Sequence, residues 1–171
     1  MKKPAALFLL IMLLTAVVGY AGFMAWKQSL PPLYPERAVF RLTNGQQVSV
    51  ADFHGRPLLV NFWQSHCQPC REEMPHLADL YRELSPRGFA VIGVVMYYDR
   101  PDRALAVAKK MNLPYPIAID IEASVAKAFG DVGPTPTSFL IAPDGSVALR
   151  RNGKVPVKKL RKQVLAMLAP P

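Results

Sequence analysis

This chain of 171 residues has only two cysteines and three histidines. So few cysteines cannot build a disulfide framework. A single C-x-x-C pair cannot complete a four-ligand structural zinc site either, and His76 follows Cys70 too closely for the usual finger spacing. Acidic residues are also scarce, 12 against 21 lysines and arginines, for a formal net charge of +9. That balance would suit a nucleic acid or an anionic membrane. The basic residues are scattered, however, apart from Arg150 to Lys162, and no interleaved aromatics accompany them, which argues against nucleic-acid binding. Internal repeats and low-complexity tracts are absent. The length allows one ordinary domain plus an appendage, with a core that needs no structural disulfide.

Charge is missing from one long segment. Between Ala5 and Trp26 there is no charged residue, and as a helix the segment would span roughly 33 Å, enough to cross a bilayer core. A secretory signal has a shorter apolar region and a small-x-small cleavage site, for which Gly19-Tyr20-Ala21 is a poor candidate. An uncleaved transmembrane anchor over 5–26 is therefore expected. Lys2 and Lys3 place residues 1–4 in the cytoplasm by the positive-inside rule, with Trp26 at the far interface. Residues 27–36 read as a proline-stiffened linker, and the domain over 37–171 then lies on the periplasmic or exterior side of the inner membrane.

Within that domain, residues 38–50 hold two short β-like runs around Asn44-Gly45, a tight-turn dipeptide, and so predict an N-terminal hairpin. Leu58 to Trp63 is a continuous apolar run, as expected for a strand buried on both faces. A helix is expected from Gln68 to Leu84, a strand from Phe89 to Met96, and a helix from Arg103 to Met111. A short strand over Ile117 to Ile119 and a short helix over Ala123 to Phe129 follow. Residues 137–149 read as strand, Pro-Asp-Gly turn and strand, and Val157 to Leu168 as an amphipathic helix. Alternating β and α units closed by a hairpin predict a mixed sheet covered by helices.

Both cysteines lie in "NFWQSHCQPCREEMP", residues 61–75. A redox dithiol, half a metal site and a chance pairing are all compatible with two cysteines at this spacing. Cys67 falls where strand gives way to helix, so helix N-terminal amides can stabilise its thiolate and make it the nucleophile candidate. Helical stepping from Cys70 gives Met74, Leu77, Tyr81 and Leu84, a core-facing stripe, so Cys70 points inward. Stepping from Glu72 gives His76, Asp79 and Glu83, a solvated face. Glu73 falls at the edge of the apolar stripe, where partial desolvation would let its carboxyl hold a proton near neutral pH. Pro69 suits the first helical turn, whereas Pro75 in the helix interior costs roughly 3 kcal/mol and points to a bend with a purpose.

Taken together, "VNFWQSHCQPCREEMP" and "GPTPTSFLIAPDG", residues 133–145, resemble the two signatures of the thioredoxin superfamily. The nearer likeness is to its membrane-anchored TlpA/ResA/CcmG-like branch of thiol-disulfide oxidoreductases, over about Arg37 to Leu168. The resemblance implies a thioredoxin-like α/β fold, with a mixed central sheet flanked by helices, a hairpin extension and an N-terminal transmembrane helix. It implies that Cys67 attacks and Cys70 resolves, and that Pro136 is a cis-proline that aligns a substrate strand with Thr135. Trp63, His66 and Thr135 then belong to the substrate surface, and Glu73 falls on the acidic position of ResA-like members. No cofactor or metal is implied beyond a redox-active Cys67–Cys70 disulfide. The implied partners are a membrane electron donor and exported proteins with disulfides, for example in cytochrome c maturation.

The residue before Cys67 departs from the pattern, since relatives commonly have Trp there and this chain has His66. A cationic imidazole beside Cys67 would favour the thiolate. Two other classes are thioredoxin-like as well. A Sco-type copper chaperone would have C-x-x-x-C and a distant His, and a thiol peroxidase would have T-x-x-C where this chain has Ser65-His66 before Cys67.

Overall fold

The computed structural model describes residues 3–28 and 35–169. Most of the expected linker, 29–34, and residues 1 and 2 of the expected cytoplasmic end lie outside the described residues. The chain divides into two units, 1–32 and 33–171. In the first, α1 (Lys3–Gln28) is one unbroken helix, and Phe8, Ile11, Leu13, Val18 and Phe23 are exposed on it. Among the described residues no helix is long and apolar enough to cross a membrane.

The second unit begins with the hairpin of β1 (Val39–Arg41) and β2 (Gln47–Ser49). Gly45 takes the left-handed φ of 86° that its turn demands, a conformation glycine adopts at little cost. Next come β3 (Leu58–Trp63), α2 (Gln68–Leu84), β4 (Ala90–Val95), α3 (Pro101–Lys110), β5 (Ile117–Ile119) and α4 (Ser124–Ala128). The chain closes with β6 (Thr137–Ile141), β7 (Val147–Asn152) and α5 (Val157–Met167). Five strands form one sheet in the order β5-β4-β3-β6-β7. Strands β3, β4 and β5 are parallel, β6 is antiparallel to β3, and β7 is antiparallel to β6. This is the expected mixed sheet, with β3 at its centre.

All six residues of β3 are buried, and strand alternation sends them to two cores. Leu58, Val60 and Phe62 join Phe40, Phe129 and Phe139 on the hairpin and α4 side. There the rings meet edge-on, Phe129 and Phe139 with centroids 4.8 Å apart and Phe62 and Phe129 5.5 Å apart. Leu59 and Trp63 point the other way, into a core with Met74 and Leu77 of α2 and Leu160 and Val164 of α5. The second core carries the cysteines, so the site rests on the centre of the sheet.

Gly93 of β4 makes room for Trp63 in that core. A Cβ added at Gly93 would lie 2.9 Å from Ile117 Cδ1, 3.1 Å from Trp63 Nε1 and 3.2 Å from Tyr115 Cε2. Gly93→Ala should therefore overpack the floor of the site and cost about 1–3 kcal/mol. A lowered denaturant midpoint with unchanged slope would be the sign of it, and an unchanged midpoint would mean that the floor yields.

Two boundaries differ from expectation by two residues or more; the others agree to within one residue. Helix α3 begins at Pro101, two residues early, because proline suits the first helical turn. Strand β7 runs on to Asn152 through Arg150 and Arg151, since an edge strand keeps its side chains in water.

Candidate active site

Strand β3 delivers Trp63 to the C-terminal end of the central strand, and four residues later Cys67 caps α2. Cys67 and Cys70 form a disulfide with Cα atoms 5.2 Å apart. Cys67 Sγ also accepts the Cys70 N–H at 3.1 Å, so the sulfur sits on the helix N-terminal amides, where negative charge is stabilised. Cys67 is 7% exposed and Cys70 2%, which leaves Cys67 as the sulfur nearer to solvent. Pro69 lies in the first turn of α2 and Pro75 inside it.

The sheet register brings a distant segment to the same end. Phe62 of β3 pairs with Thr137 of β6, so the residues just before Thr137 lie beside the exit of β3. The Thr135–Pro136 peptide there is cis. Pro136 is buried and Thr135 half-buried. The Tyr98 hydroxyl donates to Gly133 O at 2.6 Å and ties down the approach to this loop.

Glu73 stands one turn beyond Cys70 and is only 2% exposed, a deeper burial than the edge position read from its helix face. The cover comes from the β7–α5 connection: the Val155 N–H donates to Glu73 Oε1 at 3.3 Å. Oε2 has no hydrogen-bond partner among the described residues. Burial pushes the Glu73 carboxyl up to about 7, against the Val155 N–H and the Lys154 charge, which both favour ionisation. The same burial, with the Glu73 charge added, pushes the Tyr115 phenol up. A cleft of about 710 Å³ opens beside Glu73, between α2 and the start of α5. Lys154 and Glu72, 2.7 Å apart, form an ion pair on its lining.

The remaining expected residues divide. His66 is exposed next to Cys67. Trp63 is fully buried and has no surface to offer a protein substrate; it acts as the floor under the loop, which corrects its expected place on the substrate surface. Three contacts around the site were invisible in the sequence because the partners lie tens of residues apart: Asp99 with Ser65, Arg103 with His66, and Val155 with Glu73. Among the described residues, no group of three or more His, Cys, Asp and Glu is placed to hold a metal ion.

Residues 35–150 match the model of the AhpC/TSA family. The thiol-disulfide oxidoreductase ResA of Bacillus cereus is 31% identical over 163 residues, 90% of this chain and 91% of the relative. The chain belongs to this family of ResA-type thiol-disulfide oxidoreductases. ResA of Bacillus subtilis is 30% identical over 86% of this chain and 85% of its own length. A crystal structure of a protein described as the thiol:disulfide interchange protein DsbE of Chlorobium tepidum superposes with a TM-score of 0.71 at 26% identity. That likeness covers 82% of this chain and 99% of the other. ResA-type oxidoreductases work through the cysteine pair and take no cofactor, and the Cys67–Cys70 disulfide is that pair.

Proposed function

We propose that this oxidoreductase is a membrane-anchored, extracytoplasmic reductase of disulfides in exported proteins. The observation that carries the reading is the Cys67–Cys70 disulfide at the α2 N-terminus, with the buried Glu73 one turn away; the cis Thr135–Pro136 peptide just before β6, the strand paired with β3, supports it. In the reduced enzyme the Cys67 thiolate attacks a substrate disulfide, forming a mixed disulfide and releasing the first substrate sulfur as thiolate. Cys70 then attacks Cys67 Sγ, expels the second substrate sulfur and closes the intramolecular disulfide. Two electrons pass to the substrate. Glu73 takes the proton that Cys70 must lose before it attacks, a task suited to a carboxyl at about 7. Thr135 and Pro136 align the substrate strand, and His66 borders it.

The disulfide form is the spent form of a reductase, so a donor must return two electrons. An uncharged segment over 5–26, within the helix Lys3–Gln28, supports an anchor that holds the domain near a membrane partner able to supply them. Residues 1–4 are then cytoplasmic, 27–36 a linker, and 37–171 a thioredoxin-like domain on the periplasmic or exterior face. The disulfide of an apocytochrome c, which leaves as two thiols, is one fitting substrate class.

The test is Cys70→Ser in the full chain, which removes the resolving sulfur and leaves Cys67 to attack. Exported cysteine proteins should accumulate as mixed disulfides on Cys67, in the membrane fraction and accessible to protease from the outer side. Mixed disulfides on cytoplasmic proteins alone, or a soluble product, would sink the reading.

A further inference from the structure

The connection between β4 and α3 closes on the loop that leads into Cys67. Asp99 lies in that connection with its side chain only 3% exposed. Its Oδ2 accepts the Ser65 N–H at 2.5 Å and its Oδ1 accepts the Ser65 hydroxyl at 2.8 Å. Oδ1 also accepts the Arg100 N–H at 2.9 Å. Arg71 Nη1 donates to Ser65 O at 3.2 Å, so every polar group of Ser65 is engaged.

His66 continues this chain. Its Nε2 lies 3.1 Å from Arg103 Nη1, and its Nδ1 lies 3.1 Å from Ser65 Oγ. A guanidinium can only donate, so Nε2 accepts and the ring proton sits on Nδ1. That proton faces Ser65 Oγ, whose own hydrogen is already given to Asp99. From Arg103 through His66 and Ser65, each hydrogen points toward the buried carboxylate.

We propose that Asp99 is a positioning residue for the dithiol. Acting through Ser65, it fixes the loop into Cys67 and, with Arg103, orients the His66 ring with a proton on Nδ1 and Nε2 accepting, so that neither ring nitrogen is free for the Cys67 proton. The Cys67 thiolate then draws its stabilisation from the α2 N-terminus. Asp99 itself places a buried negative charge on Ser65, two residues before Cys67 in the chain, and that charge opposes the thiolate. The inference deepens the reductase reading and rests on it for its purpose.

The discriminating experiment is a proton–nitrogen correlation of the histidine rings in the oxidised full chain. Wild-type His66 should show the Nδ1–H pattern at neutral pH. In Asp99→Ala/Arg103→Met the Ser65 hydroxyl has lost its carboxylate acceptor and His66 Nε2 its guanidinium donor, so the Ser65 hydrogen turns to His66 Nδ1 and the ring proton should move to Nε2. In reduced Asp99→Asn, loss of the charge should raise the Cys67 thiolate fraction at pH 7 on the order of threefold. A wild-type ring protonated on Nε2 overturns the proposal without recourse to any variant. So does an unchanged tautomer in Asp99→Ala/Arg103→Met, or an unchanged thiolate fraction in Asp99→Asn. These spectra do not depend on which proteins Cys67 attacks, so failure of the reductase reading would show in the trapping experiment and not here.

Discussion

Between pH 4.5 and about 7 the folded domain loses up to about 3 kcal/mol of stability through Glu73, and Glu73→Gln removes that loss. The sign follows from burial. Desolvation raises the folded-state carboxyl from its ordinary 4.5 to about 7, so the folded protein keeps a proton that the unfolded chain gives up first. Wherever the native state binds more protons than the unfolded state, stability falls as pH rises. The contribution is therefore full below about 4.5, declines across the interval, and is gone once pH has passed about 7. Glutamine has nearly the same shape and can still accept the Val155 N–H, yet it never ionises. Its stability profile should be flat over this interval after other groups are subtracted. The slowest amide exchange in β3 and β4 gives the stability directly in the full chain. A wild-type profile as flat as that of the glutamine variant would mean that Glu73 ionises without cost, and that the cleft beside it wets the carboxylate.

Loss of the proton acceptor should also appear in catalysis. Glu73→Gln leaves the attack by Cys67 intact but slows resolution by Cys70, so mixed disulfides should persist longer in the variant. The two effects share one group, and both disappear if Glu73 is an ordinary surface charge.

How far the site could be read in advance depended on the distance between partners. The limits of β3 and α2 were legible to the residue, because a continuous apolar run and a helical stripe are local signals. The inward face of Cys70 and the solvated face from Glu72 to Glu83 followed from the same stepping, and both hold in the fold. Glu73 could be placed only at the edge of its stripe. What buries it is Val155, 82 residues away, and no periodicity within α2 reports on a loop that arrives from the far side of the sheet. Asp99 and Ser65 are 34 residues apart, and a lone aspartate after a strand reads as a loop residue. The tautomer of His66 depends on Arg103, whose helix was expected but whose reach was not. Trp63 shows the reverse: the resemblance put it on the substrate surface, whereas its own apolar run was that of a strand buried on both faces, and the glycine at position 93 of the next strand gives its ring a place in the core.

Electron flow is the claim on which the rest depends. The α2 N-terminus stabilises the Cys67 thiolate and pushes the pair toward an oxidant. The charge of Asp99, on the carboxylate that accepts from Ser65, opposes this. For scale, about 30 mV corresponds to about 1.4 kcal/mol for a two-electron couple, so the interval from about −270 mV for thioredoxin to about −120 mV for a dedicated oxidant is about 7 kcal/mol. A helix terminus supplies only a fraction of that, at most about 2 kcal/mol even in a partly buried geometry. The direct measurement is the reduction potential of the Cys67–Cys70 pair in the full chain, by equilibration with a dithiol buffer and trapping of free thiols. A reductase predicts a value near the thioredoxin end of the interval, and a value close to that of the dedicated oxidant would contradict it.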